Sequence, residues 1–164
     1  TAVDLQIVRR LAATLRERGD GGRVLLIGPT EKAHRRRRIV EALSGEPNVE
    51  VQPRTDLDRL PLDRLLGAIL PYVDSESVRS VTLANKSMQL LARGLPLLIS
   101  SMPEFVRKPF ILRLDGEEPM AAVLDRCRAG FAAWQPGIEA FVLENSPESR
   151  LKQLGVKADA GTEV

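Results

Sequence analysis

Apolar and polar positions alternate between two periods along the chain. Asp4 is placed to cap a helix that carries Leu5, Val8, Leu11 and Leu15 on one face. Gly19, Asp20, Gly21 and Gly22 end it. The continuous apolar run Val24–Ile27, closed by Gly28-Pro29, reads as a strand covered on both faces. A charged helix with Ile39, Val40 and Leu43 as its stripe follows and stops at Ser44–Pro47. Val49–Val51 is a short strand. Leu57–Leu66 is a broken helical segment, with Pro61 acceptable in a first turn. Ala68–Leu70 is the next strand and Pro71-Tyr72-Val73 leaves it. The polar loop Asp74–Ser80 leads to a helix over about Leu83–Arg93 that stops at Gly94. Leu97–Ile99 and Phe110–Leu112 are the last strands. Helices are expected around Glu117–Ala129, Trp134–Val142 and Pro147–Leu154.

This order predicts one α/β domain over residues 1–154, with a frayed tail at 155–164. Its five strands should form one mostly parallel, doubly wound sheet with helices on both faces, as in Rossmann-like proteins. Ligands of such sheets bind beyond the carboxyl ends of the strands. That rule nominates the loops Gly28–Thr30, Pro53–Thr55, Tyr72–Glu76 and Thr82–Asn85.

Composition narrows the chemistry. At 164 residues, 43% hydrophobic and 28% charged, the chain has the make-up of a globular domain. One cysteine, Cys127, excludes an internal disulfide, and one histidine, His34, excludes a two-histidine metal site. No metal is implied. No apolar run approaches the roughly 20 residues that span a bilayer. The chain starts at Thr1 without methionine or a leader, which reads as a processed protein or an excised fragment. The 24 basic and 22 acidic residues give a net charge of +2, which argues against nucleic acid as partner. The dense run Arg35, Arg36, Arg37 and Arg38 reads either as a solvated helix face or as a contact for anionic lipid headgroups. Cytoplasmic localisation is expected, with peripheral membrane contact through these arginines.

No nucleophile–base pair, Walker loop or dinucleotide loop is visible. His34 lies beside the arginine run, a poor place for a general base. Cys127 falls on an apolar stripe with Val123 and reads as core. The informative stretch is Pro71–Met102. Pro71-Tyr72 closes a strand. Asn85-Lys86-Ser87-Met88-Gln89-Leu90-Leu91-Ala92-Arg93-Gly94 makes a helix, and Leu95-Pro96-Leu97-Leu98 opens the next strand. Free helix N–H groups, the helix dipole and the Lys86 ammonium can converge on an anion. Gln89, three residues on, shares that face and can bond hydroxyls. The plain alternative is a polar helix face that meets only solvent. Tyr72 can pack on a base or ribose, or form a half-buried core edge.

These segments resemble the C-terminal, donor-binding half of a GT-B glycosyltransferase. There a strand ending in Pro-Tyr precedes a helix of the form Pro-x-Lys-x-x-Glu-Tyr-Leu-Ala-x-Gly and a strand opening Leu-Pro-Val-Val. Leu25-Leu26-Ile27-Gly28-Pro29, Asn48-Val49 and Phe141-Val142-Leu143-Glu144-Asn145-Ser146 fit further parts of the pattern. Gln89 stands where the helix usually has its ribose-binding Glu, and Val81 where many members have another Glu. The Lys-x-x-Gln variant is similar to bacterial exopolysaccharide glucuronosyltransferases. The resemblance implies a glycosyltransferase domain binding a UDP- or GDP-sugar through Tyr72, Asn85, Lys86, Gln89, Arg54, Thr30 and Glu76, with no other cofactor. It implies transfer to a hydroxyl acceptor, such as a glycan or glycolipid in polysaccharide synthesis, held by an N-terminal domain outside this chain that also supplies the catalytic base. It also implies a strand ahead of the first helix, central in the family's sheet and missing here. The rival expectation is a degenerate, non-catalytic interaction module, which the Gln89 and Val81 departures favour.

Overall fold

The computed structural model describes residues 3–28, 33–79, 85–102 and 107–149, with backbone alone for 33–36, 77, 79 and 85. It is an α/β protein whose strands form two small parallel sheets. In chain order the elements are α1 (Leu5–Arg18), β1 (Val24–Ile27), α2 (Ala33–Leu43), β2 (Val49–Gln52), β3 (Ala68–Pro71), α3 (Glu76–Arg79), α4 (Asn85–Leu91), β4 (Leu97–Ser100), β5 (Ile111–Arg113) and α5 (Met120–Glu144). Strands β1 and β2 pair in parallel, with Val24 opposite Val49. Strands β3, β4 and β5 form the other sheet, with Ala68 opposite Leu97 and Leu97 opposite Ile111. The single five-stranded sheet expected from the sequence is therefore corrected: among the described residues no ladder joins β1 to β3. Each strand forms where its apolar run lies, but pairing needs backbones in reach, and among the described residues the ladder of β1 runs to β2 and that of β3 to β4.

The helices form for local reasons that can be named. The Asp4 carboxylate accepts from the Gln6 and Ile7 N–H groups at 2.9 and 3.2 Å, which satisfies two donors that the helix cannot pair. Gly19 ends α1 in the left-handed region at φ 67°, where its N–H reaches the Arg16 carbonyl. Leu57–Leu66, expected as a broken helix, makes two 3₁₀ turns instead, Leu57–Arg59 and Leu62–Arg64. The helix expected over Leu83–Arg93 is described from Asn85 to Leu91. The helical segment expected from Pro147 is described only as far as Ser149.

The two helices expected between Glu117 and Val142 are one. Helix α5 runs 25 residues through Pro136, which forfeits a backbone hydrogen bond. Burial on both sides of the proline offsets that loss. Val123, Leu124 and Cys127 are buried before it, and Ile138 and Phe141 after it. Two apolar cores result. The first gathers the α1 stripe, Val24, Leu43, Leu98, Leu112 and the front half of α5. The second lies across the other face of β3–β5, with Leu97, Ile99, Leu90, Leu91 and the back half of α5. Trp134 packs against both. All four residues of β4 are buried, as expected of a central strand covered on both faces.

An ionic network ties α1 to α5. Arg18 reaches Asp125 at 2.6 Å and Asp20 at 3.3 Å, and Arg128 reaches Asp20 at 2.7 Å. Hydrogen bonding from Arg128 holds the Asp20 carboxyl below its ordinary range, and Arg18 does the same for Asp125. A carboxylate whose folded pKa is depressed stabilises above its unfolded pKa, and that contribution fades as pH falls through the folded value. Asp20→Asn should therefore lower the urea midpoint at pH 7, and the gap from the parent should narrow as pH falls below the ordinary carboxylate range. A gap that does not narrow as the pH falls would mean that Asp20 acts through something other than its charge.

Gly130 leaves room for the indole one turn later. A Cβ there would sit 2.2 Å from two ring atoms of Trp134. Gly130→Ala gains helix propensity of about 1 kcal/mol but forces the ring out of its contact with both cores. The expected net outcome is a loss of about 1–2 kcal/mol by chemical denaturation, with a shift in tryptophan emission.

Candidate functional site

The carboxyl ends of β3 and β4 lie side by side, with Pro71 opposite Ser100. Most of the sequence-nominated residues cluster in the chain around this edge. Tyr72 follows β3 directly and is half-buried against the second core. Burial pushes its phenol pKa upward. Its carbonyl accepts the buried Ser100 hydroxyl at 3.2 Å, and its backbone bridges to Val3. Glu76 opens α3 and is exposed. That short helix is capped by Ser75, whose Oγ accepts from the Val78 N–H at 3.3 Å.

Helix α4 is two-faced. Ser87, Leu90 and Leu91 are buried, whereas Lys86 and Gln89 are both exposed, one turn apart on the other side. The Ser87 hydroxyl has no hydrogen-bond partner among the described residues. Asn85 is the first residue of α4, and only its backbone is described. Arg93 holds the turn after α4 in place. It donates to the Gln89 carbonyl at 3.0 Å and pairs with Asp58 at 2.6 Å, which ties the first 3₁₀ turn to this helix.

Arg54 does not join this group. It is exposed on the loop after β2, at the carboxyl end of the other sheet. Thr30 and the expected segment Thr82–Ala84 lie outside the described residues. Arg37 and Arg38 are exposed on α2, while Arg35 and Arg36 are described by backbone alone. Cys127 is fully buried and donates to the Leu66 carbonyl at 3.4 Å, and burial pushes its thiol up to about 11. It is a core residue, not a nucleophile. Among the described residues, no three His, Cys, Asp or Glu side chains converge as a metal site.

Sequence reasoning missed a built corner at the end of β4. Ser101 adopts a left-handed φ of 55°, the one non-glycine residue to do so among those described. Its N–H donates to Asp115 at 2.6 Å. Arg113 then clamps Asp115 with bonds of 3.1 and 3.0 Å and donates to the Met102 carbonyl at 2.9 Å. Strain of this kind persists only where surroundings over-determine it. The corner follows Ser100, which bonds the Tyr72 carbonyl, so it fixes the path of the chain as it leaves the sheet edge.

A depression of about 420 Å³ lies elsewhere, lined by Arg16, Gly22, Arg23 and Asn48 at the amino ends of β1 and β2. Its polar groups already serve the fold. Asn48 donates to the Ala12 and Gly22 carbonyls at 2.9 and 3.2 Å, and Arg16 pairs with Glu46. Ligands of parallel α/β sheets bind at the opposite ends.

No protein-family model, no curated protein and no solved structure matches this chain. No described helix is long and apolar enough to cross a membrane.

The Ser101 corner gives a direct test of stored strain. Glycine adopts φ 55° freely, whereas serine incurs about 1 kcal/mol there. Ser101→Gly should raise the stability by up to about 1 kcal/mol in urea unfolding, reduced by glycine's greater unfolded-state entropy. A clear loss of stability would show that the serine side chain itself holds the corner.

Proposed function

We propose that this chain is a nucleotide-sugar-binding domain of a glycosyltransferase, with a Rossmann-like arrangement of the GT-B type and a UDP- or GDP-sugar as ligand. The observation that carries the reading is the pair Lys86 and Gln89. Both are exposed on the outer face of α4, the helix that links the adjacent parallel strands β3 and β4. An ammonium there complements a diphosphate as a point charge. A neutral amide one turn on complements ribose hydroxyls. Tyr72, half-buried at the end of β3, offers a ring for stacking, and the clamped Ser101 corner holds the neighbouring strand end rigid.

The domain's own part is to bind and orient the donor. Transfer to a hydroxyl acceptor needs a base and an acceptor surface, which this reading assigns to a partner domain. The proposed site includes Glu76, exposed at the start of α3. Arg54, on the loop after β2, and Thr30 complete this proposal.

Calorimetric titration with UDP and with GDP tests the reading. Loss of a charge-assisted contact of about 1.5–3 kcal/mol should weaken binding of the nucleotide by about ten- to a hundredfold in Lys86→Ala. Gln89→Ala should cost less, because a neutral bond to a hydroxyl nets about 1 kcal/mol. Neither change should move the melting temperature of the free protein, since both side chains are exposed. Equal UDP affinity in Lys86→Ala and the parent would overturn the diphosphate assignment. No affinity for either nucleotide in the parent would favour the interaction-module reading.

A further inference from the structure

Charge is unevenly spread along the chain. Residues 1–43 hold ten Arg or Lys and five Asp or Glu, and so carry +5. Residues 44–164 hold fourteen and seventeen, and carry −3. Helix α2 alone has four arginines and a single acidic residue, Glu41. The fold sets α1 beside it. Helix α2 has no basic residue in its own last turn, and Arg9 of α1 supplies one, its Nε donating to the Ala42 carbonyl at 3.2 Å. Arg38 lies one turn before Ala42, on the same flank of α2. Both helices turn apolar stripes to the first core, Val8, Leu11 and Leu15 from α1 and Ile39 and Leu43 from α2. Arg9, Arg10, Arg37 and Arg38 stay exposed outside those stripes. Two packed helices therefore share one basic face.

That face is not neutralised from within. Among the described residues none of these four arginines pairs with a carboxylate, and Arg9 meets a carbonyl. Elsewhere arginines are matched: Arg18 by Asp125, Arg93 by Asp58, Arg113 by Asp115 and Arg126 by Glu118. On the β2–β3 connection Arg54, Arg59 and Arg64 alternate with Asp56, Asp58 and Asp63, so no field of one sign builds up there. The basic face also exposes an apolar side chain, Val40, at 43%. It offers no Phe, Tyr or Trp for bases to stack on. Helices of 14 and 11 residues side by side are about 21 and 16 Å long, a broad surface and not a groove. Guanidinium groups around an apolar side chain on such a surface suit a planar anionic bilayer.

We propose that the α1–α2 face is a docking surface for an anionic lipid membrane. Its ligands are the charged headgroups, and the negative remainder of the chain turns the molecule so that this face approaches first. Such attraction depends on charge held near the lipid surface and fades with salt. The surface does not rest on the nucleotide reading, whose Lys86 and Gln89 belong to α4.

Vesicle sedimentation tests it, with phosphatidylcholine alone and with phosphatidylcholine containing about 30% phosphatidylserine. The chain should pellet with the mixed vesicles only, and added salt should release it. A basic residue near such a surface is worth about fivefold in binding, so Arg37→Gln with Arg38→Gln should weaken it by about tenfold or more. Arg59→Gln with Arg64→Gln removes the same charge from the β2–β3 connection and should change binding by less than about threefold. Arg10→Gln, on the other helix, should cost about three- to fivefold, and it carries the test should the α2 pair fail to fold. Equal recovery in the supernatant with both kinds of vesicle at low salt would overturn the proposal. So would equal weakening by the two double variants, which would make net charge the cause and not this face. Tighter binding to a single-stranded RNA oligonucleotide than to the mixed vesicles, lost in the α2 pair, would assign the face to nucleic acid instead.

Discussion

Helix α1 is the member on which the rest depends. It packs against strands of both sheets, and its stripe of Val8, Leu11, Ala12 and Leu15 forms the floor of the first core. It is fixed at three places. Asp4 caps it and ties it to Pro71, Asn48 binds its Ala12 carbonyl, and Arg18 anchors its last turn to α5. A helix held this firmly can keep two sheets aligned although, among the described residues, no ladder links them. Hydrophobic burial is non-directional and does not require such a ladder.

The second core is built differently. Strand β4 is covered on both faces, and α4 and the back half of α5 close over it. This half carries the residues with the most chemistry to offer. Lys86 and Gln89 are exposed because Ser87, Leu90 and Leu91 take the inward positions of the same short helix. The Arg113–Asp115–Ser101 clamp stiffens the adjoining strand end. A polar surface backed by a rigid sheet edge is what a ligand that must be held in one orientation requires.

Much of this was legible in the chain. The strands announce themselves as apolar runs closed by glycine or proline, as at Ile27-Gly28 and Leu70-Pro71. Asp4 and Gly19 mark the ends of α1 by chemistry that acts within a few residues. What stayed hidden depends on distance. The separation of β1 from β3 is a property of tertiary spacing that no local pattern records. Pro136 signals a break, yet α5 continues because Ile138 and Phe141 find cores that only the folded chain supplies. The Ser101 corner relies on Asp115, fourteen residues away and on the far side of β5. The shared exposed side of Lys86 and Gln89 follows from their spacing on α4, whereas the place of Arg54 depends on which sheet β2 joins, a long-range outcome.

Trp134, the chain's single tryptophan, stands where the two cores meet. One chromophore thus samples both halves of the molecule. Loosening of either half changes the polarity around the same indole, so steady-state emission alone cannot assign the change to one side. Separating them calls for a second, local probe. Cys127, silent toward thiol reagents while the first core is closed, supplies one that reports on that core alone.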